Sequence, residues 1–117
     1  MSKARLLAYT AALNRFDFDT VEALFAPDAV YVSAGVGGTI VGRQAIMLAF
    51  KVYFAEHPDQ VNEDSNIQLL GPNAIKADWK LRATNIKSGM HIQRRGTQIV
   101  SFDAQGKIVR IEVFDVA

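Results

Sequence analysis

The chain has no cysteine, which excludes disulfide staples, thiolate nucleophiles and thiolate metal sites. It has almost no excess charge: 13 Lys and Arg against 12 Asp and Glu leave a net +1. Such a chain generates no field that would collect nucleic acid or anionic lipid. Its one basic doublet, Arg94–Arg95, falls in a strand pattern, where the two side chains leave by opposite faces. No hydrophobic run approaches the roughly 18 residues of a membrane span. The opening MSKARLLAYTAAL is amphipathic and too short in its apolar part for a leader, so it reads as the first helix of a cytoplasmic protein. His57 and His91 stand far apart, and no His/Asp/Glu spacing resembles a metal site. The glycine run GVGG precedes no P-loop lysine and hydroxyl. No metal, cofactor, nucleic acid or membrane partner is therefore expected. With 3 prolines and 8 glycines there is no linker, and the 117 residues read as one domain, 1–117.

What is present is patterned. Half of the residues are apolar, and a chain of this length buries roughly 65% of its unfolded surface, enough for one core. Ser2 can cap a helix running to about Asn14, with Leu6, Tyr9 and Leu13 on one face. Asp17 is the natural N-cap of a second helix, with Phe16 and Val21 as its hydrophobic staple, and Pro27 is expected to end it. AVYVS alternates as a strand and sets Tyr31 and Ser33 on one face. A third helix over Arg43–Glu56 carries Ile46, Met47, Phe50, Tyr53 and Phe54. It is apolar on more than one side and should be covered on both. The polar tract EHPDQVNEDSN reads as a mobile rim. Strands are expected over 66–70, 74–84, 90–102 and 107–116, with turns at GPN, NIKSG and DAQG. Helices first and a meander afterwards give an α+β class with helices on one face of the sheet.

Hairpin closure fixes a register. Asn85 opposite Met90 pairs Trp79 with Gly96, Ala77 with Gln98 and Leu81 with Arg94. Phe102 opposite Lys107 pairs Gln98 with Ile111, Gly96 with Val113 and Arg94 with Asp115. One face is then mostly apolar, with Ile75, Trp79, Val100, Ile111 and Val113 among its members, and it holds three polar intruders: Arg94, Gln98 and Asp115. Burying them unpaired is costly, so either Arg94 and Asp115 pair across strands or they line an opening. On the other face Ile99, Ile108 and Phe114 interrupt the charges, as an association surface would.

The order AYTAALNRFDFDTVEALFAPDAVYVSAG, GRQAI and FDAQGKIVRIEVFD resembles the nuclear-transport-factor-2-like superfamily, in its SnoaL-like and steroid delta-isomerase-like branch. The resemblance covers nearly the whole chain. It implies a cone (the cystatin-like arrangement), with three N-terminal helices packed in a curved, mostly antiparallel mixed sheet. It also implies an apolar pocket and a homodimer through the outer sheet face, here Ile99, Ile108 and Phe114.

Steroid isomerases of this fold use a tyrosine and two aspartates, and those positions fall on Tyr9, Ser33 and Gln98. A serine has no accessible pKa for carbon-proton abstraction. The acid set of limonene-type epoxide hydrolases falls on Ala77, Trp79 and Val113, and is missing too. The candidate catalytic residues are thus Tyr9 and Gln98 as hydrogen-bond donors and Asp115 as proton mover or plain ion-pair partner. The candidate ligand-binding residues are Tyr31, Ser33, Phe50, Phe54, Trp79, Arg94 and Val113. The implied partner is a hydrophobic, carbonyl-bearing small molecule of polyketide or steroid type. Two functions remain open: an acid–base isomerase or cyclase, and a non-catalytic binding or association module.

Overall fold

A computed structural model describes residues 2–33 and 38–116. The glycine run GVGG, apart from Gly38, lies outside them. Helix α1 spans Ser2–Asn14 and buries Leu6, Tyr9, Thr10, Ala12 and Leu13, so the expected face holds. Its end is a Schellman turn: the Phe16 N–H reaches the Leu13 carbonyl at 3.0 Å and the Asp17 N–H reaches that of Ala12 at 2.9 Å. Phe16 occupies the left-handed position at φ 57°, where a side chain costs about 1 kcal/mol. Its ring offsets this by lying 5.1 Å from Phe54 and 6.2 Å from Phe18.

Helix α2, Phe18–Leu24, is capped by Asp17, which accepts from the Thr20 N–H. It stops earlier than the proline predicts, because β1 already begins at Phe25 and runs to Ser33. Pro27 sits inside that strand, within the irregularity between Phe25 and Val30 where β1 pairs with β6. A residue without an N–H is tolerated at such a break in the ladder. Strand β2 is Gly38–Val41, and α3 is Arg43–Glu56 as expected. Helix α3 is not covered on both sides. Ile46, Met47, Phe50 and Phe54 are buried, whereas Leu48 and Val52 are 67% and 63% exposed.

Strands β3 (Val61–Gly71), β4 (Ala74–Thr84), β5 (His91–Phe102) and β6 (Ile108–Asp115) complete one sheet of order β2-β1-β6-β5-β4-β3. Only β1 and β6 run parallel. Three helices and a six-stranded mixed sheet make this an α+β fold, with only α1 and α2 ahead of the first strand and α3 following β2, not three helices in a row at the N-terminus. β3 begins well before the expected residue 66, so much of the polar tract is paired strand, with Asn62 opposite Leu81 and Asp64 opposite Trp79.

The β4–β5 register is as deduced, with Trp79 opposite Gly96 and Leu81 opposite Arg94. The β5–β6 register is not. Phe102 pairs with Ile108 but Ser101 pairs with Arg110, which leaves Val109 as an extra residue. Beyond this bulge Gln98 faces Val113 and Gly96 faces Asp115. The slip is by two, so the sets sharing each face survive there. At the bulge they do not: Ile108, expected outside, is 1% exposed and belongs to the core. The outer apolar set is reduced to half-buried Ile99 and to Phe114, which is 48% exposed.

Candidate binding chamber

Between α1, α3 and the inner sheet face lies a cavity of about 90 Å³. Each element contributes by simple periodicity. Tyr9 and Leu13 come from successive turns of α1, and Phe50, Tyr53 and Phe54 from the buried side of α3. Tyr31 and Ser33 on β1 share a face, as do Arg94 and Gln98 on β5. Of the ten candidates from the sequence, Tyr9, Tyr31, Ser33, Phe50, Phe54, Trp79, Arg94, Gln98 and Val113 all line this space. Asp115 does not. It stands at the rim, where one of its oxygens, Oδ2, accepts from Arg94 Nε at 2.8 Å and from Nη2 at 2.6 Å.

The walls are aromatic. Phe50 meets Tyr31 edge to face at 5.1 Å. Trp79 is 5% exposed and donates its indole N–H to the Thr97 carbonyl at 2.9 Å. The Arg94 guanidinium lies 5.6 Å from the Trp79 ring, a cation–π stack at the opening.

Three residues of the site escape a reading of the sequence because they belong to the polar tract. Gln60, Asn62 and Asp64 repeat at every second position and so share one face of the chain. Gln60 and Asn62 line the chamber. Asp64 stands one layer behind it, accepting from Gln98 Nε2 at 2.8 Å and from the Thr10 hydroxyl. That alternation was the available signal, masked by the absence of apolar residues between turn markers. Tyr53, a fourth, was visible as part of the third helix.

Several polar atoms here have nothing to bind. Tyr53 Oη, Gln60 Oε1 and Asn62 Oδ1 are buried without a hydrogen-bond partner, although Gln60 is only 6% exposed. The Arg94 guanidinium faces the Tyr53 hydroxyl without meeting strict hydrogen-bond geometry. Buried polar groups are nearly always satisfied, so three unpartnered atoms around one cavity are out of the ordinary.

The phenols are firmly protonated. Burial pushes Tyr9 well above its ordinary value, helped by nearby Tyr31 and Asp64. Burial also pushes Tyr31 up to about 12, against the pull of Arg94. Tyr53 moves the same way, chiefly by burial. The Asp64 carboxyl is raised by burial, although its bonds from Thr10 and Gln98 act in the other direction. Among the described residues there is no group of His, Asp and Glu that could hold a metal ion.

Three helices packed on one face of a six-stranded mixed sheet, with an aromatic-lined cavity between them, frame this site. A SnoaL-like domain model matches residues 6–111, and the chain belongs to that family of the nuclear-transport-factor-2-like fold. No curated protein matches it significantly. Among solved structures, the RV0760c protein of Mycobacterium tuberculosis, in complex with estradiol-17beta-hemisuccinate, is 16% identical, with 97% of this chain and 92% of that one covered and a TM-score of 0.86. SalBIII, an epoxide hydrolase/cyclase-like enzyme of pyran ring formation in the polyether salinomycin, is 18% identical, with 98% and 90% covered and a TM-score of 0.86. A computationally designed 17-OHP binder is 16% identical, with 97% and 89% covered and a TM-score of 0.85. At these identities the likeness is one of fold.

Proposed function

We propose that this protein binds a hydrophobic small molecule through a carbonyl group, held where Tyr9 and Gln98 meet the chamber. The observation that carries the reading is an aromatic cavity into which Tyr9 and Gln98 bring a hydroxyl and an amide donor; the buried unpartnered atoms beside them are the Tyr53 hydroxyl and two acceptors, Gln60 Oε1 and Asn62 Oδ1, which suit a donor elsewhere on the ligand. Tyr9 is 3% exposed, and no described residue accepts from its hydroxyl. It is a protonated donor aimed at a site that water reaches poorly, where a hydrogen bond to a carbonyl counts most. Two solved neighbours name steroid-type ligands, estradiol-17beta-hemisuccinate and 17-OHP, which fits a chamber for ring compounds.

The size of the space refines the ligand. A closed cavity of about 150 Å³ accommodates benzene, and this one is about 90 Å³. One ring edge with its carbonyl enters; the remainder of a polycyclic ligand stays in the mouth unless Phe50, Phe54 or Leu81 moves. Binding is favoured over acid–base turnover, because the described lining residues offer phenols, amides and one guanidinium but no carboxylate or imidazole. Asp115, the one proton mover expected from the sequence, is tied to Arg94 outside the chamber.

The test is calorimetric titration with cyclohexanone-type ring ketones beside the matched hydrocarbons, and with Tyr9→Phe. A ketone should bind and raise the melting temperature in proportion to RT ln(1 + [L]/Kd). Tyr9→Phe should weaken the ketone by roughly tenfold, the order of one buried hydrogen bond. Equal binding of ketone and hydrocarbon would remove the carbonyl from the reading.

A further inference from the structure

We infer that the ligand is an oxo acid, its carbonyl held by Tyr9 and Gln98 and its carboxylate by Arg94. The inference rests on the chamber being a ligand site, as proposed above, and adds the chemistry of the ligand's second end. Arg94 is the one charged residue that lines the chamber among those described. Two of its N–H groups both go to a single oxygen of Asp115. A guanidinium has five N–H donors; beyond the two that go to Asp115, the described side chain that faces the others is the Tyr53 hydroxyl, outside strict hydrogen-bond geometry. Beside them stands the buried, unpartnered Tyr53 hydroxyl. A carboxylate arriving from the chamber would accept from the free edge of the fork and from Tyr53 together, the planar two-point recognition to which arginine is suited.

The approach is electrostatically prepared. Leu81 and Arg94 line both the chamber and an adjoining groove of about 620 Å³. Around that groove Lys80, Arg82, Arg94 and Arg95 outnumber Glu63 and Asp115, so an anion is drawn to the mouth. Only 26% of the Arg94 side chain is exposed, and the Trp79 ring backs it, so an ion pair formed there is less screened than one in open solvent. The spacing sets a length. Arg94 and Gln98 lie on one face of β5, four residues or about 13 Å apart at 3.3 Å per residue. A ligand whose carbonyl and carboxylate are separated by a chain of several carbons spans the two. Asp115 is then the resident anion that holds Arg94 at the mouth and competes with the incoming one.

The probe is 6-oxo-6-phenylhexanoic acid against its methyl ester, titrated calorimetrically at low salt into the parent, Arg94→Gln and Asp115→Asn proteins, each first checked for its melting transition. The acid is expected to bind the parent at least tenfold more tightly than the ester. That ratio should fall to about one in Arg94→Gln and rise in Asp115→Asn, where the competing charge is gone. If Arg94→Gln does not fold, the Asp115→Asn ratio decides alone, because an inert arginine leaves it unmoved. An ester that binds as well as the acid, or a ratio indifferent to both substitutions, overturns the anionic end and leaves the chamber reading intact. If neither compound binds while ring ketones do, the oxo acid is overturned alone; if nothing binds, both readings fall.

Discussion

Adding one methyl group at Gly96 should damage this protein more than its conservative appearance implies. Gly96 is buried on β5, between Trp79 on one side and Asp115 on the other. A Cβ built there would overlap the Phe114 carbonyl oxygen, with the Phe114 carbonyl carbon at 2.9 Å and Asp115 Cα at 3.0 Å. All of these are backbone atoms, so no rotamer change relieves the overlap, and the end of β6 must move. Overpacking of this kind costs about 1–3 kcal/mol, here the upper end, while alanine recovers about 0.5–1 kcal/mol of strand entropy relative to glycine. The net loss is about 2 kcal/mol, which for a domain of this length lowers the melting temperature by roughly 6–12 °C. Circular dichroism melts of Gly96→Ala measure it. Gly71→Ala serves as control, because a Cβ there meets nothing within 4 Å. A Gly96→Ala protein that melts within about 2 °C of the parent would refute the close approach of β5 and β6.

Other consequences follow from the same structure. Ile108→Ala should cost about 3 kcal/mol, the usual loss for a fully buried aliphatic side chain, while Ile99→Ala on the outer face should cost under about 1 kcal/mol; urea titrations giving the reverse order would place the bulge elsewhere. Tyr9→Phe should leave the melting temperature of the unliganded protein unchanged or higher, since the hydroxyl it removes has no described partner; a clear loss would mean that the hydroxyl is already bonded. For Asp64, the native carboxyl holds its proton to a higher pH than the unfolded value of 3.8. Its contribution is therefore fully present below 3.8 and is lost as pH rises through the raised native value. The urea midpoint of Asp64→Asn relative to the parent should accordingly rise across that window, and a flat difference would show that Asp64 titrates normally.

The fold was legible where the sequence punctuates itself. The turn NIKSG has one sensible closure, and the β4–β5 register follows residue by residue. DAQG closes as tightly, yet Ile108 and Val109 are both apolar and leave the parity of β6 undefined at its start. Only three-dimensional fit shows that Ile108 points inward and Val109 is the extra residue. β3 was half hidden for a different reason. Its N-terminal half carries Asn62, Glu63, Asp64 and Ser65, which offer no hydrophobic alternation, because the residues facing in meet a cavity (Asn62) or a hydrogen-bond network (Asp64) rather than an apolar core. Helix α3 misled in the opposite sense: Leu48 and Val52 look like core and are solvent-facing. Periodicity brought nine of the ten candidate residues to one cavity, but the position of Asp115 at its rim depended on where β6 ends, and no local pattern encodes that.

The balance of donors and acceptors in the lining limits what the chamber can do. Tyr9, Tyr31 and Tyr53 are held protonated by burial, and Arg94 is held charged by Asp115, which outweighs its partial burial. These groups stabilise negative charge on a ligand; none of them removes a proton near neutral pH. The half-buried Asp64 carboxyl spends one oxygen on Gln98 and the other on Thr10, so it fixes the Gln98 amide. Ser33 and Gln98 line the chamber where a carboxylate would be needed for proton abstraction. Phenol and guanidinium donors without a base suit ligand carbonyl and carboxylate oxygens, while the two unmet amide oxygens, Gln60 Oε1 and Asn62 Oδ1, suit a hydroxyl on the same ligand.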